Sequence, residues 1–208
     1  MDSVAARRDR EHADAEMASD AYKISGMKDV LLVLDVGAYH GSFTRQVNTL
    51  FPRALVHAFE PNPDSYERLV KTASGKFYPV AVGVAGIVEF RMGVVPSCSS
   101  VAGGKKPQRG ELKTIKVNSI NLSEFIANKC KDRFIDILKI DCEGCEATIL
   151  ESLSEGQLRG IFYITGEWHG QEQIDRVVAA LSKTHKTEVV TSRKKGHRGG
   201  YFHAKLDI

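Results

Sequence analysis

Two short runs combine glycines with acids at a spacing that suits a nucleoside ligand: Asp35-Val36-Gly37-Ala38-Tyr39-His40-Gly41 and Phe59-Glu60-Pro61-Asn62-Pro63. Gly37 and Gly41 permit a tight backbone turn and let a ligand approach the main chain. The N–H groups opening the next helix would receive a carboxylate or a phosphate. Glu60 would follow the second strand, where a carboxylate can accept hydrogen bonds from both ribose hydroxyls of an adenosine cofactor. The expected contacts around the first turn are Asp35, Gly37, Ala38, Tyr39, Gly41, Ser42 and Phe43. Glu60, Pro61 and Asn62 follow the second strand, and Ala81 belongs to the third.

Charge selects among nucleosides. The dinucleotide pattern G-x-G-x-x-G is not matched, because Gly37-x-x-x-Gly41 lacks the close glycine pair. Asp35 beside the turn would repel a pyrophosphate. It would tolerate S-adenosylmethionine, which has no phosphate and carries an ammonium and a sulfonium. The expected cofactor is therefore S-adenosylmethionine.

A second group, Asp141, Glu143, Glu167 and His169, falls after two later strands. Parallel neighbours would bring the four to one rim. A neutral hydroxyl is a poor nucleophile, so its methylation gains from a general base, and His169 is the best base by intrinsic pKa. The three acids could orient it or bind substrate hydroxyls; in the alternative, Asp141 and Glu143 cap the helix that follows, and Glu167 and His169 are solvated loop residues. The acids could also hold Mg²⁺, but no spacing is diagnostic of a metal and the metal-free reading is preferred.

These groups need a scaffold of alternating strands and helices. Residues 30–36, 55–59, 77–82, 134–141 and 161–166 read as principal strands. Helices are marked by Phe43, Val47 and Leu50, by Tyr66, Leu69, Val70 and Ala73, by Ala147 to Leu153, and by Ile174, Val177, Val178 and Leu181. Residues 87–91 and 114–118 read as two further strands around a Gly/Ser/Lys-rich loop at 94–112, a candidate cover for the cleft. Asn121 to Glu124 resembles a capping box opening a helix that buries Leu122, Phe125 and Ile126. Segments 188–192 and 201–206 form a terminal hairpin. The expected fold is a doubly wound α/β domain over 26–208, with a mainly parallel sheet and an antiparallel C-terminal hairpin. Residues 1–25, with Val4, Met17, Tyr22 and Ile24 as apolar anchors, are expected as a helical leader or lid.

Composition is ordinary for a globular domain: 42% hydrophobic, 26% charged and a formal net charge of +3. No apolar run reaches the ~20 residues of a membrane span, and no signal peptide is evident, so a cytoplasmic protein is the default. Arg193, Lys194, Lys195 and Arg198 form a basic cluster, read as a solvated turn rather than a nucleic-acid anchor. Of the four cysteines, Cys142 and Cys145 make a lone C-x-x-C, either redox-active or half a zinc site. With Cys98 and Cys130 as scattered singles, all four are expected as reduced thiols.

The runs Leu34-Asp35-Val36-Gly37-Ala38 to Gly41, Ala58-Phe59-Glu60-Pro61-Asn62-Pro63 and Leu138-Lys139-Ile140-Asp141-Cys142-Glu143-Gly144 occur in an order that resembles the FkbM-type methyltransferases. Ser99-Ser100 is a weaker match. The resemblance implies a class I methyltransferase fold and methyl transfer from S-adenosylmethionine to a hydroxyl, often on a sugar or natural product. Tyr39 departs from that family, which usually has Asn there, so the amino-acid end of the cofactor would be held differently. Three rival readings are a nicotinamide-dependent oxidoreductase, a nucleic-acid methyltransferase anchored by the basic tail, and a binding module without turnover.

Overall fold

The computed structural model describes residues 21–92, 100–101, 113–131, 133–192 and 199–208. The expected loop at 94–112, apart from 100–101, lies outside these residues, as do Ser99, Cys98, the basic cluster and the first twenty residues. Seven strands form the main sheet in the order β3 (Lys76–Tyr78), β2 (Leu55–Phe59), β1 (Leu32–Val36), β8 (Ile135–Ile140), β9 (Ile161–Trp168), β11 (Gly200–Leu206) and β10 (His185–Thr191). Pairing is parallel from β3 to β9. β11 runs antiparallel to both β9 and β10. The expected doubly wound sheet with its C-terminal hairpin is therefore present, the returning strand β11 slotting inside β10. Strand order reverses between β1 and β8, and that switch point opens a crevice at the strand ends.

β1 is apolar apart from Asp35 because both of its faces are covered. Leu32, Leu34 and Val36 join a core with Leu122, Ile149, Leu158, Ile174 and Leu181 on one side. Val33 joins Phe43, Val47 and Leu69 on the other, where α1 (Ser42–Leu50) and α2 (Pro63–Thr72) pack. Tyr22, Ile24 and Val30 belong to that second core. Residues 21–25 form turns and irregular chain. Asn62 caps α2, its side chain accepting from the N–H groups of Asp64 and Ser65, with Pro63 next, where its missing N–H costs nothing.

The expected third strand at 77–82 divides. Pro79, which has no N–H to give to a ladder, separates β3 from β4 (Ala81–Val82). β4 pairs instead with β7 (Lys113–Ile120) in a second sheet of order β4-β7-β5-β6, completed by β5 (Gly86–Met92) and β6 (Ser100–Val101). After β7, Asn121 caps α3 (Leu122–Phe125) by accepting from the Glu124 N–H. A π-helical turn, Ile126–Cys130, continues it. The helix expected from Ala147 is α4 (Glu146–Glu151), and a further short helix, α5 (Glu155–Arg159), begins at a full capping box of Ser154 and Gln157. That box was present in the sequence and not read. α6 (Gln171–Leu181) follows β9. Among the described residues, no helix is long and apolar enough to cross a membrane.

Candidate cofactor and active site

The crevice at the switch point is a cleft of about 850 Å³, counting the space open at its mouth. The turn after β1 makes one wall. The N–H groups of Gly37 and Ala38 both donate to the Phe59 carbonyl, at 3.1 and 3.0 Å, which ties this turn to the end of β2. Gly37 has φ +74°, and a Cβ there would collide with the Asp141 carbonyl oxygen, so only glycine fits. Tyr39 adopts φ +50°, a conformation that Asn tolerates better than Tyr.

Glu60 sits at the end of β2, buried and facing this turn. Its carboxylate accepts the N–H of Tyr39 at 2.7 Å and of Asn62 at 2.7 Å. Burial still pushes its pKa up to about 7. Each oxygen retains a lone pair for a ligand hydroxyl.

Eight of the eleven expected cofactor contacts line the cleft: Gly37, Ala38, Tyr39, Ser42, Phe43, Glu60, Pro61 and Ala81. Three do not. Gly41 is at the α1 N-cap with φ +81°, its N–H closing the turn onto the Ala38 carbonyl. Asn62 spends its side chain on capping α2. Asp35 is fully buried beneath the turn, accepting from the Thr44 hydroxyl at 2.7 Å and paired with Lys139 at 3.2 Å. Its charge is therefore compensated, and Asp35 is not the group that sets the field of the cleft.

Lys139, on β8, is the buried cation that the sequence reading passed over. It donates to the carbonyls of Gly37 at 2.6 Å and Val36 at 3.3 Å, and its ammonium lies 3.9 Å from Asp141. The signal was a lysine in the middle of an apolar run that must be covered on both faces. Tyr22 was also missed as a site residue. Its hydroxyl donates to Asp141 at 2.9 Å, and its ring meets Phe43 and Tyr201 edge-on. Val82 and Phe90 add a wall from the second sheet, with Val80 just ahead of it.

The opposite rim carries the expected acids. Asp141, Glu167 and His169 each offer one ligand atom within 4.8 Å of the others, an arrangement that could hold a metal ion. Glu143 lies 3.7 Å from His169 Nε2, so the four expected catalytic residues do converge. Glu167 lies within β9, which runs to Trp168, two residues beyond the expected end. Glu143 occupies a strained turn at φ +58°, and burial next to Asp141 and Glu146 pushes its pKa up to about 8. Glu146, wholly buried, accepts the N–H of Cys142 at 2.9 Å and of Gly144 at 3.0 Å, and the Gln173 side chain donates to it. Burial raises its pKa to about 7. Gln173 also accepts the His169 N–H at 2.6 Å, so one glutamine links the two rim turns. Glu143 and Glu146 thus differ in role: the second shapes the turn that presents the first.

A parallel sheet with this strand order, a glycine turn after β1 and an acid after β2 define the class I methyltransferase fold. The chain resembles the precorrin-6y C5,15-methyltransferase of Geobacter metallireducens GS-15 (TM-score 0.52, 12% identity, covering 95% of this chain and 88% of that one). It also resembles TrmK of M. capricolum, solved in complex with S-adenosyl-homocysteine (TM-score 0.53, 14% identity, 96% of this chain and 68% of that one). The fibrillarin/Nop5p complex is similar too (TM-score 0.51, 12% identity, 92% and 82%). A search of curated proteins finds none that matches the sequence. The methyltransferase FkbM domain matches residues 35–195, well over half of the chain, and the protein belongs to that family.

Proposed function

We propose that the protein transfers a methyl group from S-adenosylmethionine to a hydroxyl of a small molecule or sugar. The observation that carries this reading is the position of Glu60, held by two backbone N–H groups at the edge of a cleft whose far rim is acidic. A ribose would place both hydroxyls on Glu60, with the Ala38–Tyr39 backbone beside it. Among the described lining residues, Asp141 and Glu167 face one cation, Lys139, which is itself paired with Asp35. This excess of acid suits a ligand with positive groups and opposes a pyrophosphate, which argues against a nicotinamide cofactor. The charge argument thus rests on the rim rather than on Asp35.

S-adenosylmethionine, when bound, supplies an electrophilic methyl group on a sulfonium. The protein's part is to position the acceptor oxygen in line with it and to remove the acceptor proton. His169 accepts that proton, and the carboxylates of Asp141 and Glu167, gathered within 4.8 Å of its ring nitrogen, balance the imidazolium that results. No metal is needed in this scheme. The test is thermal unfolding with S-adenosylhomocysteine or with NAD. Stabilisation by the first alone supports the reading, and stabilisation by NAD alone overturns it. A mass screen of hydroxyl compounds for the gain of one CH₂ then identifies the acceptor.

A further inference from the structure

The second sheet has an apolar face that neither core claims. Residues directly opposite each other in an antiparallel pair share a face, so Val88, Phe90 and Met92 of β5 stand beside Val117, Ile115 and Lys113 of β7. On the outer face, Ile87, Glu89, Thr114, Lys116 and Asn118 are exposed. On the inner face, Phe90 is buried, and Val88, Met92, Ile115 and Val117 are half-buried. An antiparallel sheet alternates in this way when one side meets water and the other meets apolar material. Yet none of these inner-face apolar residues belongs to either of the two core clusters among the described residues.

The face continues the wall of the cleft instead. Phe90 lines the cleft at one end of the row, and Ala81, which pairs with the buried Ser119, lines it at the other. Val88 and Val117 stand opposite each other between those ends. At ~3.3 Å per residue, the row from Ser119 to Ile115 is about 13 Å long, enough for a medium alkyl chain or a fused ring system. Its polar members are Ser119, buried beside Ala81, and Lys113, exposed at the far end. The side chains between them have no donor or acceptor, so a sugar laid here would leave its hydroxyls without partners. Asp141 and Glu167 line the same cleft.

We propose that the inner face of the second sheet binds the body of the methyl acceptor, and that the acceptor is an amphiphile. Its apolar body lies on Val88, Phe90, Ile115 and Val117, and its hydroxyl, free or on a sugar head, reaches the acidic rim. Phe90 belongs to both the cleft and the face, so the body passes from one to the other without crossing water. Met92, unbranched and adaptable, extends the platform beyond Phe90. The nucleoside is expected at the Ala81 end, which leaves the rest of the row for the acceptor. The role of the hydroxyl rests on the methyl-donor reading above; the apolar contact itself does not.

Calorimetry with a matched pair of probes tests the face: octyl glucoside, kept below its micellar range, and methyl glucoside. Each is titrated into protein saturated with S-adenosylhomocysteine. The probes share a sugar head and differ only in the alkyl chain, so the octyl compound should bind about 10²-fold more tightly. Val88→Thr combined with Val117→Thr keeps the branching and volume of the side chains but puts hydroxyls on the face. That pair should cut the preference to about tenfold, whereas Ile87→Thr on the outer face should leave it unchanged. Both variants should bind S-adenosylhomocysteine as the wild type does, which reports an intact cleft. Equal binding of the two glucosides, or a preference that survives the inner-face pair, overturns the proposal. Binding of neither probe, as for a face covered by the chain's own residues, overturns it too. So does a dimer in light scattering that dissociates in the inner-face variant, because a second copy would then be the occupant. If S-adenosylhomocysteine does not bind, the methyl-donor reading fails, and the same titrations without the nucleoside still decide the apolar face.

Discussion

The turn at 37–41 and the turn at 141–146 face each other across one cleft and are held in different ways. The first is fixed by its backbone: two N–H groups on the Phe59 carbonyl, glycine where no Cβ fits, and a lysine below it that satisfies two carbonyls. The second is fixed by carboxylates crowded into a partly dry space, three of which have neighbours of the same sign. A wall built of backbone is rigid and selects shape. A wall built of acids stores electrostatic tension and is suited to moving protons.

If that contrast is right, substitutions on the two sides should fail differently. Gly37→Ala is expected to be the most damaging, costing at least ~3 kcal/mol of stability and abolishing nucleoside binding, as read by denaturant unfolding and calorimetry. Glu60→Gln should leave the fold in place and weaken S-adenosylhomocysteine binding by about 10²-fold, since charge-assisted hydrogen bonds to two hydroxyls are lost. Its pKa near 7 adds a pH signature. Hydroxyl donors favour the ionised carboxylate, so binding should release a proton and weaken as pH falls below 7. On the other side, His169→Ala should slow turnover of an identified acceptor by about 10²–10⁴-fold with nucleoside affinity nearly unchanged. A large loss of affinity there would erase the distinction between the walls.

The stored tension has its own test. Glu60, Glu143 and Glu146 have folded pKa values of about 7, 8 and 7, raised from 4.5 by burial. Between pH 4.5 and 8 the native state therefore binds more protons than the unfolded chain, and stability falls as pH rises through that window. The ligand-free protein should lose on the order of 5 kcal/mol from pH 5 to 8 through Glu60 and Glu146 alone, with Glu143 adding less than its pKa implies because it is partly exposed. A flat profile would mean that the rim is solvated and carries no tension. The smallest expected effect is that of Asn62→Ala, about 1 kcal/mol for a lost helix cap with no change in nucleoside binding.

The sequence disclosed the backbone wall more fully than the acidic one. Apolar runs and glycine spacing located β1, β2 and the first turn, and the position of Glu60 followed from its strand. The convergence of Asp141, Glu143, Glu167 and His169 was legible because adjacent parallel strands bring their ends together. Partnership was not legible. Asp35 looked like a cleft acid until Lys139 was found against it, a pairing that depends on register between β1 and β8. The second sheet was hidden for a similar reason: Pro79 marked a break, but nothing local says that Ala81 must pair with Ser119. Tyr22 was an anchor without a partner until 119 residues of chain had been folded back onto it.

That last contact bears on the order of assembly. Tyr22 leaves the ribosome well before Asp141, Tyr163 and Tyr201, yet it is seated by all three, through its hydroxyl, its carbonyl and its ring. The inner hairpin strand that carries Tyr201 must join the sheet before that seat is complete. An early-made stretch of the chain is thus among the last to find its place, and the wall of the cleft that it forms closes only when the final strand is in.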